Sequence, residues 1–172
     1  MESEELRSIQ APLKQRYRDE PGAALVTLRA AGTLDESGVA CRVDTGRAMV
    51  EAGLHPATGG TGLQACSGDM LLQALVACAA VTLRAVSTAL SIPIRGGDVR
   101  AEGDLDFRGT LGVSRDVPVG FQRIRLRFEL DTDAPADQLA KLLELTERYC
   151  VVLQTIRSGP VVEAEIRTQG VT

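Results

Sequence analysis

Three observations predict an α+β fold with antiparallel sheets and a central, buried, cysteine-bearing helix. Strand patterns come in two batches, a helical pattern follows each batch, and one of those helices is apolar on nearly every side. With 172 residues, 44% of them hydrophobic and 24% charged, the chain is long enough to bury a core without disulfides or a metal. It reads as a helical extension over residues 1–20 followed by a single domain over 21–172.

Residues 2–19 are rich in Glu, Leu, Arg, Lys and Gln, and Leu6, Ile9, Leu13 and Tyr17 recur at helical intervals. This spacing predicts an amphipathic helix, kinked or split at Pro12, whose apolar face needs a partner. After the break at 19–22, residues 24–29 and 39–43 read as strands, with 48–50 as a third. Residues 54–62 hold too much Gly and Pro for regular structure, and loops of that kind often carry function on a rigid scaffold. Ser67 suits an N-cap and Asp69 the first turn, and no charged side chain follows until Arg84, so 68–90 reads as a core helix. Its longest apolar stretch, 70–83, falls short of the roughly 20 residues that span a bilayer. Pro93 stops that helix. Residues 99–107 and 124–130 then alternate apolar with charged side chains, as a long half-exposed hairpin does. Helical spacing returns over 137–149, and 161–166 suggests a final strand.

Composition excludes several functions. A net charge of -4 and 3% aromatic residues offer neither a field for phosphates nor platforms for bases, so no nucleic-acid partner is expected. The acidic, polar start of the chain lacks the basic and apolar regions of a secretory signal, which points to a cytoplasmic protein with reduced thiols. The single histidine, His55, and the absence of CxxC, GxGxxG, GxxxxGK and HExxH remove the specific signals for zinc, dinucleotide and nucleotide-triphosphate sites. No cofactor and no metal is expected. A site of Cys66, Cys78, Cys150 and His55 would suit zinc only by ligand softness, against irregular spacing.

Cysteine chemistry is left. Cys41 sits in a strand pattern and reads as structural. Cys66 abuts the start of the apolar helix, where free amides and the helix dipole favour thiolate. Cys78 lies mid-helix, a setting in which a free cysteine also serves as an ordinary core side chain. Cys150 ends the charged run Glu147-Arg148-Tyr149, beside groups able to alter its pKa.

The run from Cys66 to Leu83, CSGDMLLQALVACAAVTL, resembles the cysteine helix of the OsmC/Ohr family, and Glu147-Arg148-Tyr149-Cys150 resembles that family's second cysteine site. The order of elements agrees from about Ala23 onward. The resemblance implies an OsmC-like fold, an intertwined homodimer with active sites at the interface, and reduction of organic hydroperoxides or hydrogen peroxide. By that mapping Cys78 attacks the peroxide as thiolate and Cys150 resolves the sulfenic acid to a disulfide, which an external dithiol reductant reopens. The partner face for the N-terminal helix is then expected on the dimer surface.

Family members that reduce peroxides also use an Arg held by a Glu. Gly68 occupies the Glu position here. Asp69 lies about 100° further round the helix and suits a first-turn stabiliser, and Arg29, Arg42 and Arg47 are equivalent candidates for the Arg. His55 is a candidate substitute, together with Asp69 at the substrate, because imidazole lowers a nearby thiol pKa or carries a proton. The alternative reading is a non-catalytic dimer that binds a small apolar ligand or senses oxidation.

Overall fold

The computed structural model describes residues 3–34, 41–43 and 52–166. Chain order is α1 (Ser3–Asp19), a 3-10 turn (Pro21–Ala24), β1 (Leu25–Leu34), β2 (Cys41–Val43), a second 3-10 turn (Pro56–Thr58), α2 (Ser67–Ala89), β3 (Gly96–Asp106), a short helix α3 (Phe107–Thr110), β4 (Phe121–Asp131), α4 (Ala136–Tyr149) and α5 (Val151–Ser158). The four strands form one sheet in the order β2-β1-β3-β4, antiparallel throughout.

Period-two alternation sets the sheet. Val99, Ala101 and Leu105 of β3 are buried, while Arg100, Glu102 and Asp104 take the other face. On β4, Ile124, Leu126, Phe128 and Leu130 pack on the core, and opposite them Arg125 pairs with Glu102 at 3.2 Å and Asp104 at 2.5 Å. Hydrogen bonds from Arg125, and then from the Thr27 hydroxyl, hold the Asp104 carboxyl well below the usual carboxylate range. The long hairpin matches the expectation from sequence, and its register pairs Val99 with Phe128 and Gly103 with Ile124.

Helix α2 lies against this sheet and against α4 and α5. Leu72, Leu75, Val76, Ala79, Ala80 and Leu83 are buried on that side. At 23 residues α2 exceeds the apolar stretch read from sequence and is long and apolar enough to cross a membrane by length and composition. Those six side chains are nonetheless buried within the chain itself. Met70, Leu71 and Val81 are exposed on the opposite side.

Two expectations are corrected. Pro12 does not split α1, which runs unbroken from Ser3 to Asp19. Pro12 is on the exposed face of the helix, away from the packed side. Described side chains on the apolar face of α1 pack on the chain's own loop and core. Tyr17 is 2% exposed and donates to the Ala57 carbonyl at 2.6 Å, Leu13 packs on the core, and Ile9 lies where a side chain at Gly59 (φ 94°) would collide with it. Residues 161–166 are not a strand. A strand exists only by pairing, and this segment lies beside no edge of its own sheet, leaving Val161 92% and Ile166 94% exposed. The proposed strand at 48–50 and Arg47 lie outside the described residues.

Leu72→Ala is expected to destabilise the chain by about 3 kcal/mol, read as a lower urea midpoint at unchanged slope. Leu71→Ala, on the exposed side of the same helix, should cost well under about 1 kcal/mol.

Candidate active site

The site is built where α2 meets the junction of α4 and α5. Cys150 ends α4 and begins α5, in an extended conformation (φ -72°, ψ 105°) that interrupts what would otherwise be one long helix. Its amide still closes α4 by donating to the Thr146 carbonyl at 3.0 Å. The next amides, at the start of α5, have no carbonyl four residues back to take, and Cys150 offers no side-chain cap. Those of Val152 and Val151 act electrostatically on the Cys78 sulfur. Cys78, half-buried on the flank of α2, interacts with the amides of Val152 and Val151, the Cys150 thiol and the Thr82 hydroxyl.

These contacts drive the two thiols apart. Burial alone pushes the Cys78 thiol up, but the Val152 amide, the Cys150 thiol, the Thr82 hydroxyl and the Val151 amide together bring it below its ordinary value. Cys150 is 0% exposed. Burial pushes its thiol up to about 11, against the pull of the Leu153 amide, and the neighbouring Cys78 adds to the rise. One sulfur is thereby favoured as thiolate and the other kept protonated, a division of labour suited to attack and resolution.

The other candidates assemble elsewhere. His55 caps the second 3-10 turn, its Nδ1 accepting from the Ala57 amide at 3.0 Å, and its ring stacks on Phe107 at 5.0 Å. It is held rather than merely solvated. Burial pushes the Asp69 carboxyl up and the charge of His55 draws it part of the way back, so the two are electrostatic neighbours. His55, Cys66 and Gly68 line a cavity of about 360 Å³ at the start of α2, walled by Leu71, Phe107 and Phe121. At about 1.5 Å per residue, Asp69 lies roughly 14 Å and Cys66 roughly 18 Å along α2 from Cys78. Within one chain, therefore, neither His55 with Asp69 nor Cys66 joins the thiol pair, and Cys66, Cys78, Cys150 and His55 do not converge as metal ligands. Among the described residues no group of three or more His, Cys, Asp or Glu is placed to hold a metal.

Cys66 rather than Ser67 takes the N-cap position of α2, again without a side-chain cap bond. Arg29 and Arg42 lie in β1 and β2, with Arg29 registered opposite Glu102. Arg84, buried two turns beyond Cys78, donates to the Ile94 carbonyl at 2.7 Å. Sequence reasoning missed Thr82 and the α5 amides. Thr82 was detectable, since it follows Cys78 by one turn in a helix already predicted.

The family model described as OsmC-like protein matches residues 60–165. The chain belongs to the OsmC-like family. Among solved structures it resembles the crystal structure of an OsmC-like hydroperoxide resistance protein from Jannaschia sp. CCS1, with a TM-score of 0.63 and 15% identity over 84% of this chain and 95% of that one. At that identity the likeness is one of fold, a mixture of helices and antiparallel sheet. No curated protein matches the sequence.

Alkylation of this OsmC-like chain by iodoacetamide, followed residue by residue by mass spectrometry across pH, should show Cys78 titrating below the ordinary thiol range. Cys150 should stay unreactive until the pH approaches about 11. The reverse order would reassign the attacking thiol.

Proposed function

We propose that this protein is a thiol-dependent peroxidase that reduces organic hydroperoxides or hydrogen peroxide in the cytoplasm without metal or organic cofactor. The observation that carries this reading is the contact between Cys78 and Cys150 with their acidities pushed in opposite directions. The hydroperoxide resistance described for the structural relative agrees with it. The Cys78 thiolate attacks a peroxide oxygen, so that an S–O bond forms, the O–O bond breaks, and the alcohol leaves with a proton from solvent. The Cys150 thiol then attacks the sulfenic sulfur. An S–S bond forms, the S–O bond breaks, and the Cys150 proton departs with the hydroxyl as water. Two exchanges with an external dithiol restore both thiols and oxidise that reductant.

The unit of function is proposed to be a homodimer. Met70, Ala74, Val81 and Ala85 present an exposed, largely apolar stripe along α2, and Cys78 lies on its flank. A second copy would cover that stripe and dry the thiol pair. Val81→Asp is expected to halve the mass measured by light scattering, whereas an unchanged dimer mass would place the interface elsewhere.

A binding or sensing role is the second reading, favoured by Gly68 at the family's Glu position and by an apolar groove of about 750 Å³ between β4, α4 and α5, lined by Leu126, Phe128, Leu139 and Ile156. Consumption of a dithiol on addition of an organic hydroperoxide separates the two. Turnover is expected in the wild type, abolished in Cys78→Ser, and stalled or dependent on excess thiol in Cys150→Ser. A wild type that oxidises once and does not turn over would favour the sensor.

A further inference from the structure

We propose that the cavity at the start of α2 is a second binding site, separate from the thiol pair, for a small uncharged apolar molecule with one hydrogen-bond acceptor, anchored by the Nε2–H of His55. The cavity measures about 360 Å³, inside the range of about 300–1,000 Å³ usual for small-molecule sites. Leu71, Leu105, Phe107, Val119 and Phe121 wall it, and no Lys, Arg, Asp or Glu is among its described lining residues. An ion taken from water into it would find no countercharge on those walls, so they select a neutral guest. Asp69, in the first turn of α2 and an electrostatic neighbour of His55, already answers the positive end of the helix dipole and repels a second anion.

His55 is held in place before any guest arrives. Its Nδ1 accepts from the Ala57 amide at 3.0 Å, which leaves the proton of the neutral imidazole on Nε2. The ring stacks on Phe107 at 5.0 Å, and the His55 carbonyl accepts from the Thr58 hydroxyl at 2.9 Å and the Gly60 amide at 3.1 Å. Helix α1 fixes the same loop from outside, Tyr17 donating to the Ala57 carbonyl at 2.6 Å and Gln10 to the Thr58 carbonyl at 3.2 Å. Nε2 has no partner among the described residues, and the half-buried ring that carries it lines the cavity. A donor so fixed gives its hydrogen bond to a guest without first having to be ordered.

The site does not depend on the peroxidase reading, since Asp69 stands roughly 14 Å along α2 from Cys78. The chain has one histidine, so its imidazole gives a single set of resonances. Acetophenone, a flat apolar ring bearing one carbonyl acceptor, is titrated into the full-length protein and followed at the Cε1–H resonance of His55. A saturable shift is expected, with cumene, which lacks the acceptor, and the anion benzoate each binding about three- to tenfold more weakly. His55→Phe keeps a ring to stack and removes the donor. Followed by saturation transfer to its own ring protons, acetophenone should there bind about three- to tenfold more weakly, and cumene as before. Leu71→Trp, on an exposed wall, should fill the cavity and abolish binding. Should that variant fail to fold by circular dichroism, Val119→Trp, at another exposed wall position, carries the same comparison. Cys78→Ser should bind acetophenone as the wild type does, whether or not the wild type turns over peroxide. No saturable shift, equal affinity for acetophenone and cumene, or binding lost in Cys78→Ser and kept in the cavity-filling variant overturns the proposal.

Discussion

The interruption of the C-terminal helices at Cys150 is the constraint on which the site depends. Had the chain continued helically from α4, the amides of Val151 and Val152 would be spent on carbonyls of the preceding turn, and neither would be available to Cys78. One extended residue frees those amides, buries its own sulfur and points the start of α5 at α2. The sheet and the apolar side of α2 make this possible by fixing α2 against β1, β3, α4 and α5 together. Packing thus sets the position of one thiol, and a backbone break sets that of the other.

Chemistry on this protein is segregated along α2. Its first turn carries Cys66, Asp69 and the His55 loop around an apolar cavity, and its middle carries the sulfur pair. Helix α1 braces the first of these regions from outside, Tyr17 holding the Ala57 carbonyl while Gln10 donates to the Thr58 carbonyl at 3.2 Å. Ala57 in turn donates to His55, so the extension and the histidine belong to one hydrogen-bonded unit.

Much of this was legible from residues. Alternation in β3 and β4 is strict because one face is buried and the other bears ion pairs, and α2 announces itself by the absence of charge from Met70 to Leu83. The two cysteines were legible through their local contexts. What escaped depends on information that a linear pattern does not hold. Val151-Val152 is a β-branched pair whose helical state is decided by Leu153 burying against the core, so α5 was not anticipated. Residues 161–166 show that alternation describes a side-chain pattern and not a ladder, which needs an edge to join. The cap at Cys66 instead of Ser67 is a shift of one residue, within the ordinary blur of a helix end.

The complete burial of Cys150 also settles who can speak to it. A thiol at the surface is open to every oxidant, electrophile and small disulfide in solution, whereas this one is shielded from them and has another sulfur as its neighbour. In the proposed reaction, oxidising equivalents enter through Cys78 and are passed inward, so that the two residues act as a door and an inner room. The order of oxidation then follows from the position of one side chain.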